Sequence, residues 1–307
     1  MSMPHRSHRA IGLAAAAGAI AVAALGGLAA PGLQAADPPP VYVTSTGDGP
    51  PGLCEGPGAR RPCTLRDAIE TVAMRDEGRR IEARFCGSNE PGPYCLGASD
   101  PNYDAVRRVW RITLSEPYGF DITGTQVTID FAAGVAGWEG AADNVVELAT
   151  GDEPLDWHFG VDGEGHVLRG FNLRGALRTA AVVLYNGANG VTLDGLAFAD
   201  VEAVGAAGGD AIRIRDEHTS GNRLSGIQCG WFGPPPSGGA APPPTPITGA
   251  CLEFSRGAHG NLVGDGELRS SVFAQAGVGV RVTGRGTRAN RVARARIADN
   301  GIGVRVL

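Results

Sequence analysis

The side chains of this 307-residue sequence that can do chemistry fall into two short clusters. Asp210, Asp216 and His218 lie near Arg213 and Arg215, and a carboxylate beside an imidazole can move protons to and from a substrate. A turn carrying ordinary polar residues is the plainer reading of the same segment. Upstream, Asp152, Glu153, Asp156, Asp162 and Glu164 are grouped close to His158 and His166. Hard carboxylate oxygens suit Ca²⁺, so Asp152, Asp156 and Asp162 are the candidate ligands. The alternative is a solvated Gly-rich loop, because the spacing is neither that of an EF-hand nor that of a calcium-binding nonapeptide. No other cofactor is implied.

A third set is ordered by repetition. Ile212-Arg213-Ile214, Leu252-Glu253-Phe254, Val280-Arg281-Val282 and Val304-Arg305-Val306 share the pattern apolar, charged, apolar, with centres 40, 28 and 24 positions apart. If these segments are neighbouring strands, their central side chains project from one face about 4.8 Å apart. Arg213, Arg281 and Arg305 then form a ladder interrupted by Glu253. Guanidinium forks match carboxylates, so a uronate polymer lying along the ladder is the ligand such a row can bind. The competing reading is a solvated face on which Glu253 relieves arginine repulsion.

These residues need a scaffold that repeats. Asn222-Arg223-Leu224, Asn261-Leu262-Val263 and Asn290-Arg291-Val292 form a second recurring element between the strands above, and Val167 to Phe171, Val182 to Leu184 and Val191 to Leu196 continue the rhythm upstream. Short strands separated by Gly, Asn and Asp corners, in repeats of about 24 residues, predict a coil of parallel strands with inward side chains forming one core. Asn and Gly suit the corners because both tolerate positive φ, and stacked Asn side chains can bond from repeat to repeat. An antiparallel sandwich or propeller is the competitor, the sandwich with Asn186-Gly187, Asn189-Gly190 and Asn300-Gly301 as hairpin turns. With 48 Gly and 21 Pro, a helical bundle is excluded. The Gly lacks a triplet period, which excludes collagen.

The ends differ from the middle. A cationic start (His5, Arg6, His8, Arg9), an apolar run from Ile11 to Ala30 and small residues at Ala35-Ala36 make residues 1–36 a secretory signal. A retained anchor is the alternative, since about 20 apolar residues can just span a bilayer. No later segment predicts a membrane span. The last residues, Val304 to Leu307, stop inside a strand pattern without a cap, which reads as a chain continuing in a longer protein, the alternative being an open end that stacks on a partner. All 27 basic residues are Arg. Beyond residue 36 there are 25 Arg against 32 acids, whereas residues 250–307 carry nine Arg against four acids. An acidic chain with one basic end argues against nucleic acid as a partner and allows acidic glycans or other cell-surface components.

Six cysteines in an exported chain form an even, oxidisable set, Cys54/Cys63, Cys86/Cys95 and Cys229/Cys251. Neighbour pairing is favoured because each bond closes a short loop, the third at the base of a Pro-rich insertion over 232–248. Before the repeats, Leu65, Ile69, Val72 and Ala73 fall on one helical face, and Thr64 with Asp67 three residues on predicts a capping box. Such a helix can cover the open edge and core of the first coil.

Cys63-Thr64-Leu65-Arg66-Asp67-Ala68-Ile69 resembles the Cys-Ser-Leu-Arg-Glu-Ala signature near the start of secreted bacterial right-handed parallel β-helix proteins, with Thr for Ser and Asp for Glu. Strand patterns at Ile81 to Phe85, Ile112 to Leu114 and Val127 to Asp130 come next in the same order. The resemblance implies an all-β fold of the pectate-lyase-like class, a right-handed parallel β-helix with a short N-terminal capping helix. On that reading residues 37–107 are the cap with two disulfides and 108–307 the coils. It also implies a secreted or cell-surface location and a structural, adhesive or glycan-binding role. The alternative is a carbohydrate-active enzyme, a lyase or hydrolase of uronate polymers. Against it, the paired acids and Asn-Thr-Asp segment of polygalacturonases and the Asp-Pro-His segment of alginate epimerases are absent.

Overall fold

In the computed structural model, the strands among the described residues form three sheets of eight, eight and seven. The structure describes residues 38–49, 54, 61–75, 80–87, 94–124, 126–205, 208–230, 246–264 and 269–307. The segment 1–36, expected to be a signal, and most of the Pro-rich insertion lie outside them. From Phe120 onward the chain visits the third, first and second sheets in rotation. One circuit runs Phe159–Val161, Val167–Arg169 and Asn172–Leu177; the next runs Ala180–Leu184, Thr192–Asp194 and Ala197–Ala203. Each strand pairs in parallel with its counterpart one circuit earlier, as Val182 with Phe159 and Leu193 with Leu168. Among the described strands the one antiparallel pair joins Tyr103–Asp104 to Val109–Leu114. The Asn-Gly pairs therefore make no hairpins: Asn186-Gly187 and Asn189-Gly190 carry the chain between sheets, and the sandwich alternative fails.

Inward alternation fills a continuous core. Phe131, Phe159, Phe171, Phe198, Phe254 and Phe273 are fully buried. Phe159 stacks on Phe120 and Phe171 at centroid distances of 5.4 Å each, so aromatic side chains carry the core from one circuit to the next. At one corner three amides form a ladder, Asn222 and Asn261 buried and Asn290 half-buried. Asn222 Nδ2 donates to Asn261 Oδ1 at 2.9 Å, and Asn261 Nδ2 to Asn290 Oδ1 at 2.8 Å.

The helix Leu65–Arg75 begins on the capping box: Asp67 N donates to Thr64 Oγ1 at 3.1 Å and Thr64 N to Asp67 Oδ2 at 3.2 Å. Leu65, Ala68, Ile69 and Val72 are buried against Val41–Val43 and Arg80–Ala83. Ala73 is exposed, so Ala68 takes the place expected for it on the buried face. Arg66 leaves the helix as a fork onto Asp48, with bonds of 2.8 and 3.0 Å, and its guanidinium covers the Phe120 ring at 4.7 Å. The helix is thereby tied to the first strand of the third sheet. Val41–Val43 and Arg80–Ala83 head the first sheet directly, so these two strands of the expected cap share a sheet with the later strands, and Asp37–Leu307 forms one compact unit. Disulfides join Cys54 to Cys63, Cys86 to Cys95 and Cys229 to Cys251. Among the described residues no helix is long and apolar enough to cross a membrane.

Candidate functional site

The four strands carrying the apolar-charged-apolar pattern are consecutive neighbours in the third sheet: Asp210–Arg215, Ile247–Ser255, Ala276–Val282 and Ile302–Val306. Their register sets Arg213 opposite Glu253, Glu253 opposite Arg281 and Arg281 opposite Arg305. Ile212, Ile214, Leu252, Phe254 and Val280, on the other parity, are buried in the core. Hydrophobic alternation therefore fixes the ladder on the first three strands, where burying the apolar residues forces the charged ones outward; on the last, Val304 and Val306 are themselves exposed and Arg305 follows by register.

The outer face over these strands is a groove of about 660 Å³ lined by Arg213, Arg215, Arg256, Arg281 and Arg305, with Glu253 among them. The arginines are not equivalent. Arg213 folds back onto Asp210, Nη2 to Oδ2 at 2.6 Å, and lies 3.5 Å from Glu253; only 12% of its side chain is exposed. Arg281 bridges Glu253 at 2.8 Å and Asp210 at 3.5 Å. Among the described residues Arg256 and Arg305 have no carboxylate partner, and both are exposed. The groove therefore offers positive charge that the fold does not neutralise.

Burial pushes the Asp210 carboxyl up, against the pull of Arg213 and of the Ala250 amide that donates to it at 2.6 Å. Burial acts upward on Glu253 too, but Arg213 and Arg281 outweigh it and hold that carboxyl below its ordinary value. Arg215 is drawn down by burial, partly offset by Asp216 beside it at 3.7 Å. Its guanidinium rests against the Tyr185 ring at 5.4 Å.

The structure separates Asp210 from the other two expected proton-transfer residues. Asp210 is 1% exposed and engaged by two arginines, whereas Asp216 and His218 lie beyond the far end of the same strand, about 20 Å away at strand rise. Asp216 adopts φ 80° and turns the corner, accepting from the Thr219 amide. His218 stands 81% exposed, beside an equally exposed Glu217 at 3.4 Å. An inaccessible acid and a distant imidazole do not form one proton-transfer pair.

The carboxylates proposed for Ca²⁺ also stay apart. Asp152 is exposed, and Asp156 pairs with Arg178 at 3.5 Å. Asp162 meets His166 through its backbone carbonyl, which accepts from Nε2 at 3.1 Å, while His166 Nδ1 accepts from the Val127 amide. Among the described residues no three His, Cys, Asp or Glu side chains converge as metal ligands do.

Two groove arginines escaped the sequence reading as ligand candidates. Arg215 lies two positions beyond Arg213 and so shares its face, a signal that was present. Arg256 reaches the groove from a corner with φ 52°, where alternation no longer applies. Comparison with protein-family models, characterised proteins and solved structures gives no match.

Proposed function

We propose that this chain is a secreted right-handed parallel β-helix that binds acidic glycans along the outer face of its third sheet. The observation that carries this reading is the in-register column Arg213, Glu253, Arg281, Arg305, widened by Arg215 and Arg256 into a groove with uncommitted guanidiniums. Guanidinium forks suit uronate carboxylates, and strands repeating about every 4.8 Å match a polymer that also repeats. The cyclic use of three parallel sheets supports the β-helix. The Cys-Thr-Leu-Arg-Asp-Ala segment, capped and forked onto Asp48, supports kinship with signature-bearing secreted β-helix proteins. Three disulfides favour an oxidising, extracytoplasmic location. The enzyme alternative is weakened by the burial of Asp210 and its separation from Asp216 and His218.

The test is to collect the protein from the culture medium and incubate it with pectate, alginate and neutral glycans, with and without Ca²⁺. Retention on the acidic polymers, lost on raising salt, is the expected result. New reducing ends or unsaturated-uronate absorbance would replace this reading with the lyase or hydrolase. Absence of retention on both acidic polymers would leave a structural role.

A further inference from the structure

The arginine groove runs, on the same outer face, into two aromatic side chains that are held in place but not enclosed. The register Val183 with Arg213 and Leu184 with Ile214 sets Tyr185 beside Arg215. Trp157 lies at a ring-centroid distance of 5.9 Å from Tyr185, the two planes 39° apart. The indole lies against the sheet over Gly160, where an added Cβ would come within 2.6 Å of Nε1 and 2.7 Å of Cε2. Any larger residue there would lift the ring off the strand. Asp121, on the preceding strand, accepts from the indole Nε1 at 3.1 Å and fixes its orientation. Both rings are only half-buried, so each keeps surface facing solvent.

A sheet exterior gives no packing reason to immobilise two large rings, and here they are fixed by a glycine, a hydrogen bond and a cation–π contact. Preorganised aromatic surface next to guanidinium groups is what a pyranose requires: its C–H face lies on a ring and its carboxylate meets a fork. Asp121 and Asp162 add negative charge at this end, so a carboxylate on a sugar stacked here turns toward Arg215. From Ala180–Leu184 to Ile302–Val306 there are four strand spacings, or roughly 19 Å, enough for several sugar residues rather than one.

We infer that Trp157 and Tyr185 form a sugar-stacking subsite at one end of the arginine groove, and that the full site takes a uronate oligosaccharide lying across the strands. The inference rests on the glycan reading of the groove and adds a platform and a minimum ligand length to it.

Titration calorimetry with galacturonate dimer and hexamer tests it on the whole protein. The wild type is expected to bind the hexamer at least about tenfold more tightly than the dimer. Tyr185→Leu and Trp157→Leu are each expected to lose about tenfold in hexamer affinity with little change for the dimer, while Tyr185→Phe, which keeps the ring, stays near wild type. Leucine variants that melt with the wild type and bind the hexamer equally well would overturn the subsite. If Arg281→Ala still abolished binding, the groove reading would survive that result. A wild type that binds neither oligomer would instead remove the groove reading and the subsite with it. If a leucine variant fails to fold, the wild-type comparison decides: equal affinity for dimer and hexamer overturns the platform.

Discussion

Glu253 and Arg281 face each other in register on adjacent parallel strands, and Arg281 Nη1 meets Glu253 Oε2 at 2.8 Å. Glu253 is thus an internal competitor for the guanidinium that a ligand carboxylate must win. Glu253→Gln keeps the shape and a hydrogen-bond acceptor while removing the competing charge. Pectate binding is expected to tighten by about threefold in this variant, and Arg281→Ala to weaken it, both measured at low salt. Unchanged binding in Glu253→Gln would mean that the ligand does not use Arg281.

Asp210 lies under the same pair with 1% of its side chain exposed, and it holds Arg213, itself 12% exposed. Asp210→Asn keeps an acceptor for the Ala250 amide but removes the carboxylate charge that the largely buried Arg213 guanidinium meets at 2.6 Å. Breaking one partner of such a pair costs about 3 kcal/mol, a fall in melting temperature of roughly 5–10 °C. Calorimetric melting that matches the wild type would refute this structural role for Asp210.

The amide ladder makes a separate stability claim. Asn261 is 1% exposed, accepts from the Asn222 side chain and backbone, and donates to Asn290. Asn261→Ala leaves donors on Asn222 and an acceptor on Asn290 without these partners, at an expected cost of about 2 kcal/mol. Urea unfolding measures it. A loss below about 0.5 kcal/mol would mean that water replaces the ladder.

Legibility in the sequence depends on how local each cause is. Arg213, Glu253 and Arg281 were legible because apolar neighbours on both sides dictate which way a strand residue points, and Arg305 because it repeats their pattern in register. Asn222, Asn261 and Asn290 were legible because each precedes its strand at the same offset. The helix start was legible because Thr64 and Asp67 cap each other within one turn, whereas Ala73 was misplaced where the helix nears its end. The burial of Asp210 was not legible, because Arg213 folds back over it and Arg281 arrives from a strand 71 positions away. Nor was the aromatic pair: Trp157 reaches the groove face from a loop, across a glycine whose importance is steric rather than conformational.

His158 gives the pH dependence. It is buried between sheets, with Nε2 donating to the Arg174 carbonyl at 3.0 Å, and burial pulls its pKa down to about 4 from the ordinary 6.5. The hydrogen bond to Arg174 acts upward but does not offset the burial. Between those values the unfolded chain holds a proton that the folded protein refuses. Stability from this residue is therefore complete above pH 6.5 and declines as pH falls toward 4, by about 3 kcal/mol in all. Below that range the folded protein takes up the proton too, and the decline from this group ends. His158→Gln retains an N–H that can reach the Arg174 carbonyl and does not titrate. Urea unfolding at pH 7 and pH 4.5 should therefore show a markedly smaller acid loss in the variant than in the wild type. Equal acid losses in the two proteins would assign the pH dependence to other groups and leave His158 as ordinary core packing.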